Sequence, residues 1–187
     1  MSMQLAPMKL DFAGTETANE SEAGSGASQN DVPVLRRAAM DYLARREHSF
    51  YELQQKLSRK FPDTQSLLLQ EVLARLWHEN LQSDDRFTEA YVRYRKSRGF
   101  GYLHIKAELY ARQIDESLIH KYLKADDSDW EEIAKQQLEK KLMPGEVLLF
   151  GSKTHRKLVR FLESRGFGSL DVRRILDRHL STESIRH

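Results

Sequence analysis

Seven histidines, 28 Asp and Glu side chains and no cysteine are the chain's stock of groups for acid–base or metal chemistry. The histidines fall at 48, 78, 104, 120, 155, 179 and 187, and no two are three or four residues apart. A zinc-binding helix needs such a pair on one face, with a carboxylate beside it. These read instead as scattered surface or capping residues. The absence of cysteine excludes disulfides and thiolate metal sites. No Gly-rich loop ends in Gly-Lys-Ser/Thr, so no Walker-type phosphate cradle is present. Gly24-Ser25-Gly26 comes near a serine nucleophile pattern, but a low-complexity stretch cannot build the strained turn that pattern requires. The sequence reads as a protein that is not an enzyme and carries no cofactor or metal.

What remains is positive charge. Lys153, Lys157 and Arg160 recur at helical spacing opposite Leu158 and Leu162, and Arg173, Arg174 and Arg178 project from the next helix. Arg93, Lys96, Arg98 and Lys106 cluster around one helix junction. These ten residues are the candidate contacts for an anionic partner, because charge on successive repeats can line up into one surface. The net charge of +2 conceals a division: residues 1–33 carry −4 and the rest +6, with +5 from Lys153 onward. Arg-Gly-Phe-Gly occurs twice, at Arg98–Gly101 and Arg165–Gly168. It resembles an anion-binding loop, but the structural reading is preferred: Gly takes a left-handed helix cap and Phe packs back on the preceding turn.

Such side chains need a scaffold, and the apolar register supplies one. Shifted back by 52 residues, Phe87, Ala90, Tyr91 and Tyr94 fall on Leu35, Ala38, Ala39 and Tyr42, and Ile105 and Leu109 on Leu53 and Leu57. Shifted forward by 53, Ile105, Leu109, Ile119 and Leu123 fall on Leu158, Leu162, Val172 and Leu176. Arg112 and Ile114 likewise fall on Arg165 and Phe167. Self-similarity at a fixed period is the mark of a repeat protein. The fold expected is all-α: an elongated tandem array of three three-helix repeats at 31–81, 82–126 and 127–187, behind a disordered Gly/Ser-rich tail at 1–30. Trp130, Ile133 and Ala134 are the best match to a first helix in the third repeat, which leaves an insertion around 143–152.

Punctuation agrees with this division. Asp31, Ser83 and Asp115 can cap helices, and Ser49–Glu52 and Ser128–Glu131 read as capping boxes. Arg45 and Arg46 are placed in the last turn of the first helix. In the second repeat Phe87, Ala90, Tyr91 and Tyr94 are expected inside, with Arg93, Arg95 and Lys96 outside. Gly99 and Gly166 stop helices, and Met143-Pro144-Gly145 ends another. Val147-Leu148-Leu149-Phe150 is expected to pack on the third repeat. The tail after Ser181 is expected to fray. No apolar run approaches the roughly 18 residues of a membrane span, and no secretory signal is visible, so a cytoplasmic location is expected.

At Arg46-Glu47-His48-Ser49, with Glu52-Leu53 and Lys56-Leu57, the chain resembles the bacterial RecX family. The middle stretch is similar to it in Asp84-Asp85, Phe87, Tyr91-Val92, Arg95, Gly99, Gly101, Ile105 and Glu108-Leu109. The last is similar in Phe161-Leu162 and Arg165-Gly166-Phe167. The resemblance covers about residues 35–180. It implies an array of three-helix repeats that binds in the groove of the RecA–single-stranded-DNA filament. Such proteins limit RecA's strand exchange, ATP hydrolysis and promotion of repressor cleavage. Some members of the family also bind DNA directly, which adds single- or double-stranded DNA to the expected partners; no membrane partner is expected, and the chain is expected to be a monomer. The rival reading is a helix-turn-helix-like protein acting directly on DNA. Against it, Asp115–Lys124 offers no outward Asn or Gln for base readout. Gln113 stands where the family often has Gly, so that turn is expected to depart from the glycine form.

Overall fold

The structure, a computed structural model, describes residues 31–143 and 148–180. The expectations for a disordered tail at 1–30, for Asp31 as a cap, for Pro144–Val147 and for fraying after Ser181 lie outside the described residues or side chains. Nine helices are described, in three groups of three. The first group is α1 (Asp31–Leu43), α2 (Phe50–Lys60) and α3 (Ser66–His78). The second is α4 (Asp84–Ser97), α5 (Tyr102–Tyr110) and α6 (Glu116–Tyr122). The third is α7 (Asp129–Glu139), α8 (Lys153–Ser164) and α9 (Ser169–Asp177). A single bridge, Leu148 to Leu180, is the only strand-like pairing among the described residues.

Each group closes over its own apolar cluster. Leu35, Ala38, Ala39, Leu53, Leu57 and the α3 stripe Leu69, Val72, Leu73 and Leu76 form the first. Phe87, Val92, Ile105, Leu109, Ile114, Ile119 and Leu123 form the second. Ala134, Leu138, Leu148, Leu158, Leu162, Phe167, Val172, Ile175 and Leu176 form the third. The proposed equivalents Leu53, Ile105 and Leu158 are all buried, one in each cluster. Two expectations fail here. Tyr94 is 56% exposed, although it stands two turns along the same helix face from buried Phe87. Trp130, although it belongs to α7, packs in the second cluster, and its indole Nε1 donates to the Lys124 carbonyl at 2.8 Å. The third group thus lends a side chain to its neighbour's core.

Capping follows the sequence in part. Ser49 accepts from the Glu52 amide at 3.0 Å, Ser83 from Arg86 at 3.3 Å and Asp115 from Ser117 at 2.8 Å. Ser128 makes no side-chain cap; Asp127 accepts from the Asp129 amide at 3.0 Å in its place. Arg45 and Arg46 lie beyond α1, which ends at Leu43. Gly99 and Gly166 are left-handed, with φ of 75° and 86°. In each, the next residue's amide reaches back five residues: Phe100 to the Arg95 carbonyl and Phe167 to the Leu162 carbonyl. That is a Schellman cap, which satisfies carbonyls otherwise left without donors.

The Gln113 turn does not depart from this form. Gln113 adopts φ 54°, and its amide and that of Ile114 donate to the carbonyls of Tyr110 and Leu109. Those are the bonds Gly166 and Phe167 make to Glu163 and Leu162. The backbone requirement of the repeat overrides the residue's preference, at about 1–2 kcal/mol for an L side chain in that region.

Candidate binding surface

The candidate cations sort into free and engaged. Lys153, Lys157 and Arg160 stand exposed on α8 and pair with no carboxylate among the described residues. Arg156 shares their exposure and their helix, and the three-residue pattern passed over it. Arg98 is exposed at the end of α4. Arg93, 76% exposed, lies 3.8 Å from Glu89. On α9, Arg173 and Arg174 lie 3.7 Å from Asp177 and 3.8 Å from Asp171, and Arg178 pairs with Glu131 across to α7. Exposed pairs of this kind contribute about 0–1 kcal/mol and are easily exchanged for a partner's anion.

Two candidates are committed elsewhere. Lys96 is only 16% exposed; its ammonium sits over the Trp130 ring and between Asp127 and Asp129. Lys106 lies over Tyr102 and Tyr110, and hydrogen bonding to Tyr102 holds its ammonium above the usual lysine value. Arg95 is not outside either: its guanidinium grips Glu108 and stacks 4.3 Å from the Phe100 ring centroid. Helical periodicity places α4's charged side chains away from its own core. It says nothing of what other elements press on those side chains: Lys96 meets the next repeat, and Arg95 meets Glu108 on α5 of its own.

Of these, Lys96 belongs to the seams, the contacts that hold successive units in line. At the first seam the Ser49 hydroxyl donates to the Arg112 carbonyl at 3.4 Å. The Glu52 carboxylate binds Arg112 Nε at 2.8 Å, Arg46 at 3.0 Å and His48 Nδ1 at 3.1 Å. Burial pushes Glu52 up, but the bonds from His48, Arg112 and Arg46 prevail and hold its pKa at about 2. Asp84 accepts the Phe50 amide at 2.7 Å and the Gln82 side chain at 2.8 Å; there burial prevails and raises its pKa.

At the second seam the two Arg-Gly-Phe-Gly stretches meet. The Gly101 amide donates to the Arg165 carbonyl at 2.7 Å, and the Leu103 amide to the Gly166 carbonyl at 3.0 Å. Arg165 Nη1 donates to the Arg98 carbonyl at 2.9 Å and its guanidinium lies 4.8 Å from the Phe100 centroid. A Cβ on Gly101 would sit 2.5 Å from the Gly166 carbonyl oxygen. The repeated motif is a clasp between units.

A helical-repeat protein is the class these features define: three small cores, side chains engaged at two seams, and, among the described residues, unpaired cations on a helix of the last unit. The family model described as "RecX, second three-helix domain" matches residues 83–123, that is α4 to α6. The chain is 36% identical over 148 residues to the "Regulatory protein RecX" of Pseudomonas entomophila, covering 78% of this chain and 92% of that one. It is 38% identical over 136 residues to the protein of the same name from Mannheimia succiniciproducens, covering 71% and 86%. A crystal structure of RecX from Lactobacillus salivarius superposes with a TM-score of 0.62 at 22% identity, over 80% of this chain and 96% of that one. The chain belongs to the RecX family of regulatory proteins.

Proposed function

We propose that the chain binds the RecA–single-stranded-DNA filament and restrains RecA's recombinase, ATPase and coprotease activities. Membership of the RecX family carries the choice of partner. The unpaired cations Lys153, Lys157 and Arg160 support a contact with an anionic surface, either phosphate or acidic protein. In this reading the units 31–81, 82–126 and 127–187 work as one rod held by its two seams, a cytoplasmic monomer that regulates without catalysis.

Direct sequence readout as a helix-turn-helix protein is less well supported. The third helix of the middle unit, α6, is seven residues long and opens on Asp115 and Glu116, which would face phosphates with negative charge.

The test is RecA ATPase on single-stranded DNA titrated with this protein. The rate is expected to fall to a plateau. Replacing Lys153, Lys157 and Arg160 with Gln should move the titration to higher concentration and flatten its salt dependence. An ATPase rate indifferent to the protein would overturn the reading.

A further inference from the structure

One helix is apolar on its outer face where its counterparts are polar. On α5, Leu103, Ala107 and Tyr110 stand at i, i+4 and i+7, so they share a face, and all three are exposed. Leu103 is 55% exposed and Tyr110 44%. The opposite face places Ile105 and Leu109 in the second core, so α5 is apolar on both sides. Shifted by 52 residues, the same places on α2 hold Tyr51, Gln55 and Ser58; shifted by 53, those on α8 hold Arg156, Arg160 and Glu163. A helix apolar all round is normally covered on both sides. The described residues leave this outer face open. Val34, Leu67 and Leu170 are exposed too, but each lacks an exposed apolar neighbour one turn on, which is ordinary for a surface.

The chain carries a segment of matching chemistry. Residues 1–12 include Met1, Met3, Leu5, Met8, Leu10 and Phe12, which alternate with other residues on either side of Ala6-Pro7. Residues 13–30, which join them to α1, contain no Val, Leu, Ile, Met, Phe, Tyr or Trp. The route to α5 is short. α1 rises about 20 Å from Asp31 to Leu43. Just beyond it Arg46 binds the Glu52 carboxylate, which also binds Arg112, two residues past the end of α5. The open face thus begins one helix length and one ion-pair relay from Asp31, inside the roughly 60 Å that residues 13–30 reach when extended. For a tether of this composition and length the expected r.m.s. span is about 21–25 Å, which holds its far end near the face at roughly millimolar effective concentration. Even a contact with a Kd of about 1 mM is then half occupied.

We propose that residues 8–12 fold back on the middle unit of their own chain, seating Met8, Leu10 and Phe12 along Leu103, Ala107 and Tyr110. Alternate side chains of an extended segment point the same way, so these three span about 13 Å against about 10 Å for the α5 stripe. Tyr110 is fixed to receive them, because its hydroxyl donates to Glu116 at 3.0 Å. The segment shields an apolar face, and any partner that needs the outer face of α5 must first displace it. The contact is made within one chain and is tested without RecA or DNA.

The chain has no cysteine, so Lys9→Cys gives a nitroxide one attachment site, beside the apolar contacts without being one of them. In the full isotope-labelled chain, NMR amide signals from Leu103 to Tyr110 should lose intensity to the nitroxide, while those of α9 keep theirs. Met8→Asp with Phe12→Asp should restore the α5 signals, and so should Leu103→Asp. The Met8 and Phe12 changes lie outside residues 31–180, so their effect stands even if Leu103→Asp disturbs the fold. A mixture of nitroxide-bearing chain without isotope and isotope-labelled chain without nitroxide should show no loss, because the contact is intramolecular. The proposal is overturned if the α5 signals keep their intensity, if all three units lose it equally, or if the loss survives the Met8 and Phe12 changes. Loss of α5 intensity in the mixed sample would also overturn it and make the occupant a second copy.

Discussion

The two seams of the array are the same contact built from different residues. Ser49 and Gly101 are 52 residues apart and precede the second helices of their units; Arg112 and Arg165 are 53 apart and follow the second helices of the next units. In the first seam a serine hydroxyl reaches the Arg112 carbonyl at 3.4 Å; in the second a bare glycine amide reaches the Arg165 carbonyl at 2.7 Å. Glycine at both 101 and 166 lets backbone meet backbone. Ser49 and Gln113 stand at the matching places of the first seam, where a hydroxyl bridges the approach and Glu52 gathers Arg46, His48 and Arg112 alongside. One docking geometry is thus secured once by steric fit and once by charge, so the two seams should fail under different insults.

The sharpest way to break the comparison is to write the first seam's residue into the second. Gly101→Ser should cost about 3–5 kcal/mol, since its Cβ would meet the Gly166 carbonyl and backbone cannot move aside cheaply. Gly166→Ala should cost as much, because it meets the backbone of His104 and sits at φ 86°. Thermal melts and amide exchange should show protection lost first around α5 and α8. A variant that melts like the parent would mean that the seam is loose enough to re-pack.

Charge should be the first seam's weakness. Glu52→Gln should cost about 2–3 kcal/mol at neutral pH, through weakened bonds to Arg112, Arg46 and His48. The folded pKa of about 2 lies below the unfolded value near 4.5, so the ionised Glu52 stabilises the fold above pH 4.5 and ceases to as pH falls through 2. The gap between parent and Glu52→Gln should therefore close across that window. Asp84, its pKa raised by burial, acts in the opposite sense and gains from protonation. A gap constant from pH 7 to pH 2 would remove charge from the account.

The smallest effect should be a gain. Gln113→Gly relieves a left-handed side chain but frees the unfolded chain, and the balance should raise stability by up to about 1 kcal/mol. Chemical denaturation would register it as a higher midpoint at constant slope.

The helices and their inward faces were legible because burial imposes period on sequence: Leu53, Ile105 and Leu158 declare themselves by spacing alone. The left-handed turns were legible through Gly99 and Gly166, and hidden at Gln113, where surrounding structure enforces what the residue disfavours. The seams were not legible. Arg-Gly-Phe-Gly was readable as a cap twice over, yet nothing in one sequence says that two caps touch. Lys96 and Arg95 look like solvent-facing cations until the turn before α7 and helix α5 bring Asp127 and Glu108 against them. The exposed face of α8 was legible except for Arg156, and the partner proposed for it came from family resemblance, since charge alone names only a sign.

Trp130 makes the second seam visible to light. The chain has two tryptophans, and they differ in setting: Trp77 is 37% exposed in the first unit, while Trp130 is 6% exposed between the second and third. A Trp77→Phe variant would leave one indole whose emission wavelength follows the polarity around it. Separation of the last unit would bring water to that ring and shift its emission to the red, whether or not the first unit had melted. Loss of the Lys96 ammonium above the ring would alter its brightness as well. The residue that joins two cores is thus a built-in optical gauge, able to follow bending between the second and third units without any added dye.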